Sequence, residues 1–341
     1  MSSQMLREVE ETPALVENLL AQDQAAYAAL KAALDARPPV FAATIARGSS
    51  DHAASFGAWL LGLAAGLATA SLPPSLVSRY ARAPRLEHAL VLGLSQSGAS
   101  PDIVASLEAA TRSGAITTAI VNVEGSALAK AAAHVLPQRA GEERSVAATK
   151  SFILTTVALA RLVATWQDDQ ALHDALQALP DRLDQAIRTD WGRAVEQLEA
   201  ATSLYVLGRG PSHAIAGEAA LKLKETSYLH AEAISSAEVQ HGPKAVIDQD
   251  FPLLALATAD QGGSDTTAYA EEVASNGGTV ITLSPALRAP GTHARLPAPL
   301  HPWLDPIVAI AAFYPMAAAL AVARGHDPDN PRGLKKVTST V

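Results

Sequence analysis

The chain has 341 residues, enough for roughly two domains, and 49% hydrophobic against 18% charged residues gives it a soluble, globular profile. A net charge of −8 without any basic run argues against a nucleic-acid partner, and the absence of cysteine excludes disulfides, thiolate metal sites and a cysteine nucleophile, in keeping with a reducing cytoplasm. The acidic start, Met1 to Leu20, is no signal peptide; the apolar stretches Trp59 to Ala70, cut by glycines, and Ile307 to Val322, with Pro315, read as buried helices and not as membrane spans.

In chain order, Met5 to Ala33 is helical in pattern and broken at Pro13. Phe41 to Ala46 reads as a strand that ends in Arg47-Gly48-Ser49-Ser50, and a long helix begins near Asp51. Leu90 to Leu94 is a short apolar run, as in a buried parallel strand, and it leaves its sheet at Ser95-Gln96-Ser97-Gly98-Ala99-Ser100. Pro101 pre-sets the first turn of a helix to about Arg112, and Ser100 stands at its N-cap. Free backbone N–H groups at such a helix start favour an anion, so the loop reads as a cradle for one phosphate held by hydroxyls. It has no lysine and is no nucleotide P-loop; an ordinary serine-rich turn has the same composition.

Thr117 to Val121 is a third strand, Glu143 to Thr149 a polar loop, and Lys150 opens a helix to about Gln167. Strands alternating with helices indicate a parallel α/β sheet, whose ligands sit outside the carboxyl ends of the strands. Ser50 and the Ser95–Ser100 loop both lie there and face one crevice. Residues 168–200 look like a helical connector broken at Pro180.

The pattern then repeats at a constant offset of 162 residues: Arg47 to Arg209, Val91 to Leu253, Thr117 to Thr279. The chain is therefore a tandem duplication of one α/β unit. Ala257 and Ala259 stand opposite Ser95 and Ser97, so one phosphate site per chain is expected.

Lys222 and Glu225, three apart on a helix, put an ammonium beside a carboxylate, which suits a base with a proton donor next to it. The same spacing describes a solvated salt bridge. His241, in His-Gly-Pro, is a second candidate, in a context where a histidine is commonly structural. The tail, Asp327 to Thr338, is rich in proline and ends in paired lysines; Pro331 and Leu334 give it something to pack with. No histidine–carboxylate spacing suits a metal, and none is expected.

Leu94-Ser95-Gln96-Ser97-Gly98, Val146-Ala147-Ala148-Thr149-Lys150, the block Glu218 to Pro243 and the tail together resemble the sugar-isomerase (SIS) domain family in its tandem form, above all the isomerase half of glucosamine-6-phosphate synthases. The resemblance implies two SIS domains, each a flavodoxin-like parallel sheet flanked by helices. It divides the chain into an N-terminal helical segment (1–34), a first SIS domain (35–170), a connector (171–198), a second SIS domain (199–325) and an active-site tail (326–341).

By the same resemblance Ser50, Ser95, Gln96, Ser97 and Ser100 hold the sugar phosphate, while Gly48, Ser49, Val146 and Ala148 line the sugar site. Glu225 moves a proton between C1 and C2, Lys222 assists at a neighbouring oxygen, His241 opens the ring from the other subunit of a homodimer, and Lys336 closes over the sugar. Ala148 replaces a family serine, and Arg47 replaces a small residue at the crevice rim. The chain begins where the synthase's glutaminase domain would have ended, so free ammonia and not glutamine is the expected nitrogen partner. SIS proteins of that kind resemble class II glucosamine-6-phosphate deaminases. The implied activity is cofactor-independent conversion of an amino sugar phosphate, foremost glucosamine 6-phosphate to fructose 6-phosphate and ammonia, in the cytoplasm. A fructosamine-6-phosphate deglycase, a simple phosphosugar isomerase and a non-enzymatic sugar-phosphate sensor are the alternatives.

Overall fold

The computed structural model describes residues 3–336, and its strands form two five-stranded sheets. The first sheet comprises β1 (Phe41–Ile45), β2 (Thr69–Ser71), β3 (Ala89–Ser95), β4 (Ile116–Val121) and β5 (His134–Pro137), in the order β2-β1-β3-β4-β5. The second comprises β6 (Ser203–Gly208), β7 (His230–Ser235), β8 (Leu253–Leu256), β9 (Val280–Ser284) and β10 (Thr292–Arg295), in the order β10-β9-β8-β6-β7. Counted from its other edge, the second sheet has the same winding as the first, the flavodoxin-like order. Every pairing is parallel. All seven residues of β3 are buried, which is why its sequence shows no polar alternation.

The duplication extends to backbone detail. The helices Ser49–Ala65 and Pro211–Ser227 have 17 residues each. Each is preceded by a glycine in a conformation closed to other residues: Gly48 at φ 56°, ψ −133° and Gly210 at φ 61°, ψ −140°. A side chain there would strain the turn that starts the helix.

Two compact units emerge. One contains Ala14–Glu143, Lys150–Gln177, Lys335 and Lys336; it carries the first sheet. Its central helix, Lys150–Trp166, is buried at every position from Lys150 to Ala164 and packs on Ser49–Ala65. The other contains residues 3–13, Arg144–Thr149 and Ala178–Leu334, and carries the second sheet. Its core helix, Asp305–Ala323, packs on Pro211–Ser227 and Gln4–Glu10. Among the described residues it is the one helix long and apolar enough to cross a membrane, and 78% of its apolar window is buried inside the protein.

Some expectations change. Pro180 does not break the connector: the helix Gln170–Ala186 runs through it, because Leu172, Leu176, Leu179 and Leu183 bury one continuous face that outweighs a lost backbone bond. The stretch from Trp59 is only partly a buried helix. It ends at Ala65 against the left-handed Gly66, with Trp59 and Leu63 exposed, and Thr69–Ser71 goes on to form β2. The helix expected near Asp51 begins at Ser49.

Candidate functional site

The cradle lies where β1 and β3 end, at the point where the strand order reverses. Ser95 is buried, and its Oγ accepts the Gly98 N–H at 3.0 Å, folding the loop back on itself. Gly98 has φ +60°, and a Cβ there would stand 2.2 Å from Ser126 Oγ, so the tight turn admits no side chain. Gln96, Ser97 and Ser100 remain partly exposed. Ser100 occupies the N-cap position, as the sequence indicates, and its side chain makes no capping bond, which leaves the hydroxyl to other partners.

Ser49 and Ser50 form the first turn of the neighbouring helix and are half-buried. Arg47 joins the two loops. Its Nη2 and Nε donate to Asp102 Oδ2 at 2.7 and 3.1 Å, and Asp102 is wholly buried in the first turn of Pro101–Arg112. A carboxylate there would otherwise repel an anion, and the guanidinium offsets it. Burial pushes the Asp51 carboxyl above its usual range, against a Ser71 hydrogen bond and the Arg47 charge.

The tail reaches the same unit. Lys336 Nζ donates to Glu143 Oε2 at 2.7 Å; Glu143 is buried and also accepts Ser151 N–H at 3.1 Å and Ser151 Oγ–H at 2.7 Å. Val337 and Thr338, which the sequence reading included in the tail, lie outside the described residues, as does Met1.

In the unit of the second sheet, the matching loop is closed by its own side chains. Asp260 caps the helix Gln261–Ser275, accepting Gly263 N–H at 2.7 Å, and Thr258 is bonded to Ser212 and Asp260. A carboxylate thus caps this helix, where the first unit has Ser100 at the N-cap without a capping bond.

The helix Pro211–Ser227 of this unit carries the charged group. Lys222 is 0% exposed; its Nζ pairs with Glu225 and lies 3.5 Å from Glu218 Oε1. Glu218 is also fully buried and accepts the Tyr314 hydroxyl at 3.2 Å. Glu225, with 22% of its side chain exposed, is the member that meets solvent. A solvated salt bridge is therefore the wrong description: the ammonium is held in the core between two carboxylates and presents one of them outward. His241 closes a 3-10 turn after β7 and is exposed. Among the described residues it makes no side-chain hydrogen bond to Lys222 or Glu225.

Val146 and Ala148 also belong to this unit, on a loop that sequence reasoning could not anchor. The buried Glu8 carboxylate accepts the N–H groups of Arg144 at 2.5 Å and Ser145 at 3.3 Å, and the Val146 N–H reaches Asp329 O at 3.4 Å. Asp329 in turn accepts the Gln4 and Met5 N–H groups at 2.7 Å each, capping the helix Gln4–Glu10. The tail is thus tied down as far as Leu334, with Pro331 buried, while Leu334 is 44% exposed and packs less than expected. Glu8, Glu143, Glu218 and Asp329 were all missed from sequence. Among the described residues, no cluster of three or more histidines and carboxylates could hold a metal ion.

Comparison with known proteins fits these observations. The model of the SIS domain matches residues 42–165 and 197–290. A glutamine–fructose-6-phosphate aminotransferase (isomerizing) of Thermus thermophilus is 33% identical over 97% of this chain, which spans 58% of that protein's length. Among solved structures, a candidate phosphosugar isomerase from Silicibacter pomeroyi superposes with a TM-score of 0.90 at 42% identity, covering 96% of this chain and all of that one. The C-terminal domain of glucosamine-fructose-6-phosphate aminotransferase from Francisella tularensis gives 0.84 at 25% identity, covering 97% and 99%.

Proposed function

The chain belongs to the SIS domain family, and from that premise we propose that it is a cytoplasmic, cofactor-independent enzyme of amino sugar phosphates. Its most fitting reaction converts glucosamine 6-phosphate and water to fructose 6-phosphate and ammonia. The observation that carries this reading is the buried Lys222 with Glu225 at its exposed end, a base and a proton donor held together at one helix face. An ammonium kept in the core at the expense of its solvation, with its partner carboxylate presented to solvent, favours a catalytic role over a binding module.

In this reading Ser50, Ser95, Gln96, Ser97 and Ser100 hold the phosphate, and Gly48, Ser49, Val146 and Ala148 line the sugar. His241 opens the ring. Glu225 takes the C2 proton of the open-chain amino aldose and returns it to C1, while Lys222 serves the neighbouring oxygen. Water then hydrolyses the imine at C2, and ammonia leaves. Lys336, parked on Glu143 by an ion pair, is the tail group that closes over the sugar.

A panel of phosphosugars tests the assignment. Glucosamine 6-phosphate is expected to yield equal amounts of ammonia and fructose 6-phosphate without added metal or cofactor. A preference of about a hundredfold in kcat/KM for a fructosamine 6-phosphate or a plain hexose phosphate would transfer the assignment to a deglycase or a simple isomerase.

We further propose a homodimer in which each site takes His241 from the other subunit. A two-fold contact is isologous, so one such loan implies two. Mixing His241→Ala chains with Glu225→Ala chains is then expected to restore about a quarter of wild-type sites, where neither variant is active alone. Subunit exchange without recovery would mean that each chain completes its own site.

A further inference from the structure

We propose that a cleft in the unit of the first sheet, remote in sequence from the cradle loops, binds a small monocarboxylate through Arg161 and Tyr27. The cleft has a volume of about 550 Å³ and lies among the helices Gln24–Ala36 and Lys150–Trp166 and the start of Gln170–Ala186. That is ample for a small organic ligand.

Two groups on its floor await a partner. Arg161 is 6% exposed; its Nη1 donates to Leu19 O at 2.5 Å and its guanidinium stacks 4.1 Å above the Tyr27 ring. Among the described residues no carboxylate pairs with it. Asp23 is already gripped by Arg139 at 2.7 and 2.8 Å. The other cation of the cleft, Lys31, is matched by Asp168 at 3.0 Å and Asp35 at 3.3 Å. Arg161 is therefore the cation of the cleft that has no carboxylate in contact among the described residues, on a helix whose other positions from Lys150 to Ala164 are all buried.

The second group is the Tyr27 hydroxyl, buried and without a hydrogen-bond partner. Burial pushes this phenol far above its ordinary range, so it stays protonated and can only gain by donating. A buried polar atom without a partner costs stability, and natural proteins keep few of them unless something else uses them.

The ligand class follows from the donors on the floor of the cleft. A guanidinium edge favours the paired oxygens of a carboxylate, and the adjoining hydroxyl supplies a third donor. Leu20, Ala28 and Ala32 provide apolar wall for the body of the molecule. Asp35 and Asp168 at the rim oppose a second negative charge, which selects a monoanion over a phosphate dianion.

Calorimetric titration of the whole protein with benzoate, and with benzamide as its neutral counterpart, tests the site. Benzoate is expected to saturate in about the millimolar range, with benzamide at least about tenfold weaker. Arg161→Met is expected to remove the preference for the anion. Because that variant also loses the Leu19 contact, Tyr27→Phe is the second test: it is expected to weaken benzoate about fivefold while leaving the melting temperature of the free protein unchanged or raised. Equal affinity for benzoate and benzamide, no saturation up to about 20 mM, or benzoate affinity unaltered in Tyr27→Phe would each overturn the proposal.

Discussion

Glu225→Gln is expected to lower kcat on glucosamine 6-phosphate about a thousandfold while KM stays within about threefold. Glutamine keeps the shape of the side chain and can still accept a hydrogen bond from Lys222, but it cannot take up a proton. The phosphate-holding serines belong to other loops, so ground-state binding has no reason to change. Steady-state kinetics, with circular dichroism to confirm folding, separate the two parameters. A loss below about tenfold would remove Glu225 from the proton-transfer step. A matching rise in KM would make it a binding group instead.

Lys222→Met is expected to destabilise the protein by about 3–5 kcal/mol as well as to impair turnover. The reason lies in Glu218, whose carboxylate is 0% exposed and faces the lysine at 3.5 Å. Without the ammonium, that charge stays in the core with the Tyr314 hydroxyl bond as inadequate compensation. Neutralising it should help: Glu218→Gln on top of Lys222→Met is expected to recover at least about half of the loss, since a neutral amide is far cheaper to bury. Urea unfolding of the single and double variants gives both numbers. A single variant that loses less than about 1 kcal/mol would show that the pair is not held in the core as described.

These two experiments also mark the boundary of what the sequence makes legible. The α/β class, the duplication and the cradle loop are local in origin. β3 announces itself by the apolar run Leu90 to Leu94, and the repeats by a constant offset of 162. The short edge strands β2 and β10 left no such trace, because three or four residues of mixed polarity look like a turn. Pro180 reads as a stop for the same local reason, yet the helix around it continues where burial of a leucine face prevails, as the helix read through Pro315 also does.

The environment of each site residue was the hidden part. Spacing places Lys222 beside Glu225, but only the packing of Asp305–Ala323 onto the helix turns a surface pair into a buried one. Glu143 and Lys336 are 193 residues apart, Gln4 and Asp329 are 325 apart, and no periodicity connects them. Arg47 was visible as a departure from the family pattern. Its role in offsetting the buried Asp102 beside the phosphate loop needed the fold.

Proton NMR of glucosamine 6-phosphate or fructose 6-phosphate turned over in D2O is the most direct measurement of the central claim. Transfer between C1 and C2 through a carboxylate that exchanges with solvent predicts deuterium at C2 of the aldose or C1 of the ketose with wild-type protein, and none with Glu225→Gln. Binding of the sugar phosphate with neither product nor deuterium at those carbons would contradict it, and would leave the protein a sensor of sugar phosphates.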